Sequence, residues 1–227
     1  MHITPDEIVL FRWGPVVFNA TILCTWIVML LLTLIAWLGT RRLAAADDPR
    51  SRWQNALEVI VEVIRGQIRE ICGEDGDAYL PFVGTLFLFI AVSNVLEIVP
   101  EWHSPAGSLS TTAALALSVG VAVPVFGIAR RGFTGYIRHY LRPAWVMLPF
   151  HLLAEMTRTL ALAVRLFGNI MSGSMMVALL VAIAPLFFPM LLQTLGLLIG
   201  LIQAYIFAVL ATVYIAAAVQ REQEGAK

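Results

Sequence analysis

The sequence predicts an all-α polytopic membrane protein, and three observations carry that expectation. The first is composition. Of 227 residues, 59% are hydrophobic and only 13% are charged, against about 25% charged in an ordinary soluble domain. A water-soluble fold of this size could not hide so much apolar surface behind so few charges. The second is the segregation of those charges. Most lie in residues 41–77, 130–142 and the tail from Arg221. The third is the length of the apolar runs between them, each near the roughly 20 residues that a spanning helix needs.

Taken in order, the runs are 16–38, closed by Arg41-Arg42; 80–99, closed by Pro100; 111–128, closed by Arg130-Arg131; then 149–183 and 186–219. About five spans are therefore expected, in a single membrane domain covering residues 1–227. The last two runs meet at Pro185 and Pro189, which suits a helical hairpin. At over 30 residues each, they exceed a hydrocarbon core of about 30 Å unless tilted. Met1–Pro15 carries Asp6, Glu7 and a single Arg. It lacks the basic start of a cleaved signal peptide, so the first run is expected to be a retained helix.

Orientation follows from the arginines. Arg41, Arg42, Arg50, Arg52, Arg65 and Arg69 share one loop, Arg130, Arg131, Arg138 and Arg142 another, and Arg221 and Lys227 the tail. With five spans these regions fall on one face and Arg12 alone on the other. The positive-inside rule then places the C-terminus in the cytoplasm and the N-terminus outside. Within the first of these loops, Trp53, Ala56, Leu57, Ile60, Val63, Ile64, Ile68 and Ile71 recur at helical spacing among charges. Residues 51–72 are thus expected to form an amphipathic helix on the cytoplasmic membrane surface. A helix packed into a small soluble insert is the alternative. Glu74-Asp75-Gly76-Asp77 is read as a solvated turn.

Several function classes drop out. No polybasic patch suggests nucleic acid. Cys24 and Cys72 form neither a CxxC nor a metal spacing, so free thiols, no metal and no cofactor are expected.

The chemistry concentrates in the fourth run. On a helix, His151, Glu155, Arg158, Leu162, Arg165 and Asn169 follow steps of four, three, four, three and four and form one stripe. An Arg at mid-bilayer costs from about 2.5 to over 10 kcal/mol, so it marks a functional site by default. Glu155 and Arg158 could simply form an ion pair one turn apart. Arg165 has no acid one turn away on its own helix, and the run 186–219 contains none. Its counter-charge is therefore expected on another chain. In the fifth run, Gln193, Gly196, Gly200, Gln203, Phe207, Leu210 and Tyr214 step similarly. They form a narrow, partly polar seam that either packs another helix closely or places Gln203 against Arg165 or a passing carboxylate. Ser172, Gly173 and Ser174 admit the same packing reading.

These residues carry a family resemblance. Arg165-Leu166-Phe167-Gly168-Asn169 and the string Gln203-Ala204-Tyr205-Ile206-Phe207-Ala208-Val209-Leu210 resemble the a subunit of rotary F-type ATP synthases. Pro149-Phe150 followed by Glu155, the pair Ser93-Asn94 and the stretch 105–112 fit as well, so the resemblance spans about residues 79–219. It implies two tilted final helices facing a rotor ring, and it makes Arg165 the stator arginine with Gln203 its polar companion. Asn169 and Glu155 would line two aqueous half-channels, with His151 and Glu97 as further polar steps. Ser174, Gln193, Arg158 and Tyr214 are candidates for the remaining lining, and Glu101 and His103 for the outer mouth. The implied partners are a proteolipid c-subunit ring, the peripheral-stalk b subunits and, indirectly, the catalytic ATPase sector, in a bacterial inner membrane. The chain itself would not be catalytic.

Departures accompany the match. Many members carry an acid nine residues after the Arg and a His seven before the Gln, where this chain has Ser174 and Gly196. The interval between Glu155 and Arg165 is also about one turn shorter. In these respects the pattern is similar to the divergent N-type ATPases, for which sodium transport has been proposed. Two rivals are weaker. A small secondary transporter or channel working without a ring would be expected to show an internal repeat. A membrane enzyme built on His151 and Glu155 lacks a second His or an HExxH.

Overall fold

The computed structural model describes residues 9–13, 16–40, 52–99, 102, 104–141, 148–183 and 188–220. Arg41, Arg42, Arg50, Glu101, His103, Arg142, Pro185, Arg221 and Lys227 lie outside the described residues. So do the side chains of Arg12, Arg52, Trp53, Ala56, Leu57, Glu74, Asp75, Arg131 and Arg138.

The chain is an all-α membrane protein, with six α-helices among the described residues, apart from one short hairpin. Strands β1 (Val9–Trp13) and β2 (Val16–Asn19) pair antiparallel. The first apolar run therefore starts as strand and becomes helix α1 only at Ala20, continuing to Thr40. Gly14-Pro15 interrupts a stretch rich in Val and Phe, and such residues suit a pleated ribbon either side of a turn signal.

Helix α2 covers Arg52–Cys72. Its C-terminal half buries Ile68 and Cys72 against Tyr79, Val83, Ala208 and Ile215. Val59, Ile60 and Val63, nearer its start, are exposed. A 3-10 turn at Glu74–Ala78 then reverses the chain. There Asp77 receives hydrogen bonds from Arg69 Nε at 3.1 Å and Nη2 at 2.8 Å, with Arg65 Nε 3.3 Å away. The acidic turn is thus tied back onto α2. The Arg69 hydrogen bond, with the charge of Arg65 behind it, holds the Asp77 carboxyl below its usual range.

Helix α3 (Leu80–Leu96) has 17 residues and is about 26 Å long, so it ends before the predicted limit at residue 99, in a turn at 97–99. A second 3-10 turn at Pro105–Gly107 leads into α4 (Leu109–Leu141). The apolar part of α4 ends at Arg130. The following residues, expected as a loop, remain helical past a kink at Gly132, whose φ of 73° only glycine adopts without strain. Helices α5 (Leu148–Ile183) and α6 (Phe188–Gln220) have 36 and 33 residues, about 54 and 50 Å.

Helix α5 packs on α4 and α6, and α6 packs on α3. The seam is built from small residues. Ala116 of α4, Ala163 of α5, and Ala204 and Ala211 of α6 are all buried around Ile90, Leu162, Leu166 and Phe207. Small side chains let the backbones approach, and in lipid close packing replaces the hydrophobic drive between helices. At Gly120 a Cβ would lie 2.8 Å from Thr159 Oγ1, so α4 and α5 touch almost backbone to side chain. The outward faces carry Leu30, Phe150, Met190 and Ile183, the last 80% exposed. Among the described residues, four helices are long and apolar enough to span a membrane, with α3 a shorter apolar fifth.

Candidate functional site

The stripe on α5 separates into two edges. At 100° per residue its members spread over about 80°. Leu162 lies on the inner edge and is 2% exposed. Arg158 and Arg165 lie on the outer edge and are exposed. His151, Glu155 and Asn169 are half-buried. A single strip of sequence thus serves two different surroundings.

One surrounding is a cavity of ≈ 470 Å³ where α3, α5 and α6 meet. Its polar lining includes Asn94 and Glu97 from the end of α3, Asn169 and Ser174 from α5, and Gln193 from α6. Gln193 Nε2 donates to the Glu97 carbonyl at 3.2 Å, joining the start of α6 to the end of α3. Gly196 also lines it, and a Cβ there would meet nothing within 4 Å. Among the described residues, the only carboxylate lining this cavity is Glu97.

The other surrounding is a cavity of ≈ 950 Å³ between α4 and α5. Its walls are mainly apolar, and Glu155, Thr157 and Thr159 are its polar members. On α5 the first cavity begins at Asn169 and the second ends at Ala163. Arg165 falls in the interval between them. Nine residues separate it from Ser174 and ten from Glu155, about 14 and 15 Å along the axis.

Arg165 has no hydrogen bond or ion pair among the described residues. Gln203, on α6, is 7% exposed, and its Nε2 makes no hydrogen bond among them. The hydrogen bond between Arg165 and Gln203 that the sequence allowed is therefore not formed. Arg158 lies 5.5 Å from the centroid of the Tyr214 ring, so its described contact is with α6, a cation–π arrangement.

Asn94 was legible only as part of a motif. It is 2% exposed, and its Nδ2 donates to the Gly200 carbonyl at 2.7 Å. A Cβ on Gly200 would lie 3.0 Å from this amide. Glycine is needed there because the Asn94 side chain occupies the space. The available signal was two polar residues, Ser93-Asn94, inside an apolar run.

Comparison with known proteins decides the family. The family model described as ATP synthase A chain matches residues 22–216. The chain belongs to this ATP synthase A chain family. Relatives named ATP synthase subunit a agree over nearly the whole length. That of Crocosphaera subtropica is 56% identical, covering 98% of this chain and 96% of its own. Acaryochloris marina has one 54% identical, covering 98% and 95%. Chlorobaculum parvum has one 54% identical, covering 99% of each. As a member of the A chain family, the protein is a non-catalytic membrane subunit of the ATP synthase complex.

Proposed function

We propose that this chain is the ion-translocating stator subunit of a rotary ATP synthase, passing H⁺ or Na⁺ through two offset half-channels to and from the carboxylates of a proteolipid ring. One observation carries the site assignment. Two separate cavities flank the level of Arg165, whose guanidinium is exposed and has no described partner. A charge left unpaired in an apolar helix calls for a counter-charge from outside the chain.

The physics then follows. The membrane potential is worth about 2.3 kcal/mol per unit charge per 100 mV. It does work only if ions cannot cross directly. Each ion enters one cavity, neutralises a ring carboxylate, rides the ring through lipid and leaves by the other. In lipid the carboxylate is kept neutral by desolvation, whereas beside Arg165 its charged form is favoured. The arginine thus drives release and blocks a short circuit. Arg suits the task because its charge survives burial, where Lys readily sheds a proton.

In this assignment Glu97, Asn169, Ser174 and Gln193 line the outer half-channel. Glu155, with His151 one turn earlier, marks the inner one. Arg158 and Tyr214 form its wall toward α6, and Gln203 is the polar companion of Arg165. The lengths of α5 and α6 support a tilted hairpin laid against the ring. Peripheral-stalk b subunits hold the chain, and the catalytic sector is coupled indirectly. The setting is a bacterial inner membrane, with the N-terminus outside and the C-terminus in the cytoplasm.

The test is ATP-driven ion transport by the whole complex in vesicles. With Arg165→Ala, coupled transport should vanish while the complex remains assembled. Normal pumping by this variant would make Arg165 structural and overturn the proposal. Repeating the assay with and without sodium names the ion.

A further inference from the structure

The cavity between α4 and α5 is mainly apolar, and Glu155 occupies only one edge of it. At 100° per residue, Glu155 stands about 60° from Arg158 around the α5 axis. Leu153 and Leu160 also line the cavity. Each precedes Arg158 or Arg165 by five residues, which places it about 140° away, on the far side of the helix. Both leucines are 64% exposed, and Leu117 and Val121 of α4 are 60% exposed. The floor between them is closed where Gly120 meets Thr159. Walls of this kind do not hold water, and leaving them bare forfeits dispersion contacts.

This apolar groove runs toward a concentration of positive charge. Pro124 is the last α4 residue that lines it. Exposed Arg130 follows six residues on, about 9 Å along the axis, and Arg131 comes next. Position 131 is 18 residues from the cavity-lining Ala113, which is five whole turns. It therefore falls on the same direction of α4 as the cavity. Gly132 then kinks the helix. Beyond the kink Phe133, Tyr136, Ile137 and Tyr140 take one face of the helical pattern, and Thr134, Arg138 and His139 the other. Such a pattern suits a helix lying in the membrane interface. Arg142 follows, and no acidic residue occurs between Glu101 and Glu155. Anionic headgroups attract a basic cluster just outside a spanning helix, and a guanidinium pairs with phosphate through two parallel hydrogen bonds.

We propose that α4 and α5 form a binding site for an anionic phospholipid. Its phosphate sits at Arg130 and Arg131, and one acyl chain lies between Leu117 and Val121 of α4 and Leu153 and Leu160 of α5. The groove takes the chain, and the basic end selects the charge of the headgroup. The leaflet is the cytoplasmic one in the orientation given above. The lipid covers the flank that faces away from Arg165 and leaves the Glu155 edge to ions. That last role rests on the half-channel reading, whereas the lipid site does not.

The experiment uses the whole complex in nanodiscs of phosphatidylcholine with a minor fraction of phosphatidylglycerol. The probe is phosphatidylglycerol with a photoreactive diazirine in its acyl chain. On illumination the label should map to residues 113–124 and 152–163. Unlabelled phosphatidylglycerol should compete, whereas phosphatidylcholine and inorganic phosphate should not. With Arg130→Gln and Arg131→Gln combined, labelling should fall by roughly tenfold, since two cationic groups near an anionic headgroup are lost. The corresponding lysine pair should retain most of it. Equal labelling by a phosphatidylcholine probe, labelling unchanged in the glutamine pair, or none on either helix overturns the proposal. If the glutamine pair does not assemble, a photoreactive benzoylphenylalanine at Val121 decides with the arginines intact. Capture of phospholipid there is expected, and capture of a protein subunit overturns the proposal. Each of these outcomes is separate from the transport test of Arg165→Ala.

Discussion

Arg165 and Gln203 sit on adjacent helices yet behave oppositely. The arginine is exposed, and the glutamine is buried. A lysine at 165 should therefore not substitute: Arg165→Lys is expected to lose most coupled transport, because a desolvated ammonium gives up its proton where a guanidinium does not. Vesicle pumping assays across a pH range would check this. A lysine variant that pumped normally at every pH would contradict it. At Gly200 the demand is for space. Gly200→Ala places a methyl 3.0 Å from the Asn94 amide, so the α3–α6 contact should weaken by about 1–3 kcal/mol. A lower midpoint for thermal dissociation of the membrane sector would show it.

Among the elements, α2 is held by charge as well as by packing. Its link to α3 runs through Asp77, gripped by Arg69 and Arg65. The carboxyl is lowered from an ordinary value of 3.8, so the clamp is fully present above that value and is lost as pH falls through the lowered one. Asp77→Asn should remove this dependence and raise amide exchange in α2 by about two- to fivefold at neutral pH, a small effect because exposed ion pairs contribute little. The α4–α5 pair depends instead on close approach. Gly120→Val drives a side chain into Thr159, whose Oγ1 is 2.8 Å from where a Cβ would sit. Here assembly itself should fail or become temperature-sensitive, read as loss of the subunit from purified complex.

At the scale of the whole molecule, the solvent is lipid. Side chains such as Ile183 and Met190 are exposed, whereas the buried set mixes alanines and larger apolar side chains with Ser and Thr hydroxyls and the amides of Asn94 and Gln203. Topology is the matching prediction. Tags at residue 66, on α2, and after residue 227 should both be reached from the cytoplasmic face, and one before residue 9 from the outer face. Labelling of sealed vesicles of each orientation distinguishes the sides. A tag at 66 reached only from the outer face would reverse the assignment.

Composition and apolar run length were enough to read a helical membrane protein, because a backbone in lipid must satisfy its own hydrogen bonds within each segment. Arg165 stood out for the same reason, since a charge in an apolar helix is too costly to be incidental. The arrangement around it was not legible. Glu97, Ser174 and Gln193 come from three helices separated by long stretches of chain, and only their packing puts them on one cavity. The α5 stripe looked like one surface because helical periodicity reports direction around an axis, not what stands opposite. Helices α4 and α6 divide it, one taking the Glu155 edge and the other meeting Arg158 through Tyr214. The strand at Val16–Asn19 was hidden in the first apolar run, since hydropathy alone does not separate a β-branched ribbon from the start of a helix. Asn94 and Gly200 lie 106 residues apart, and the fit between an amide and a missing side chain exists only once α3 and α6 are in contact.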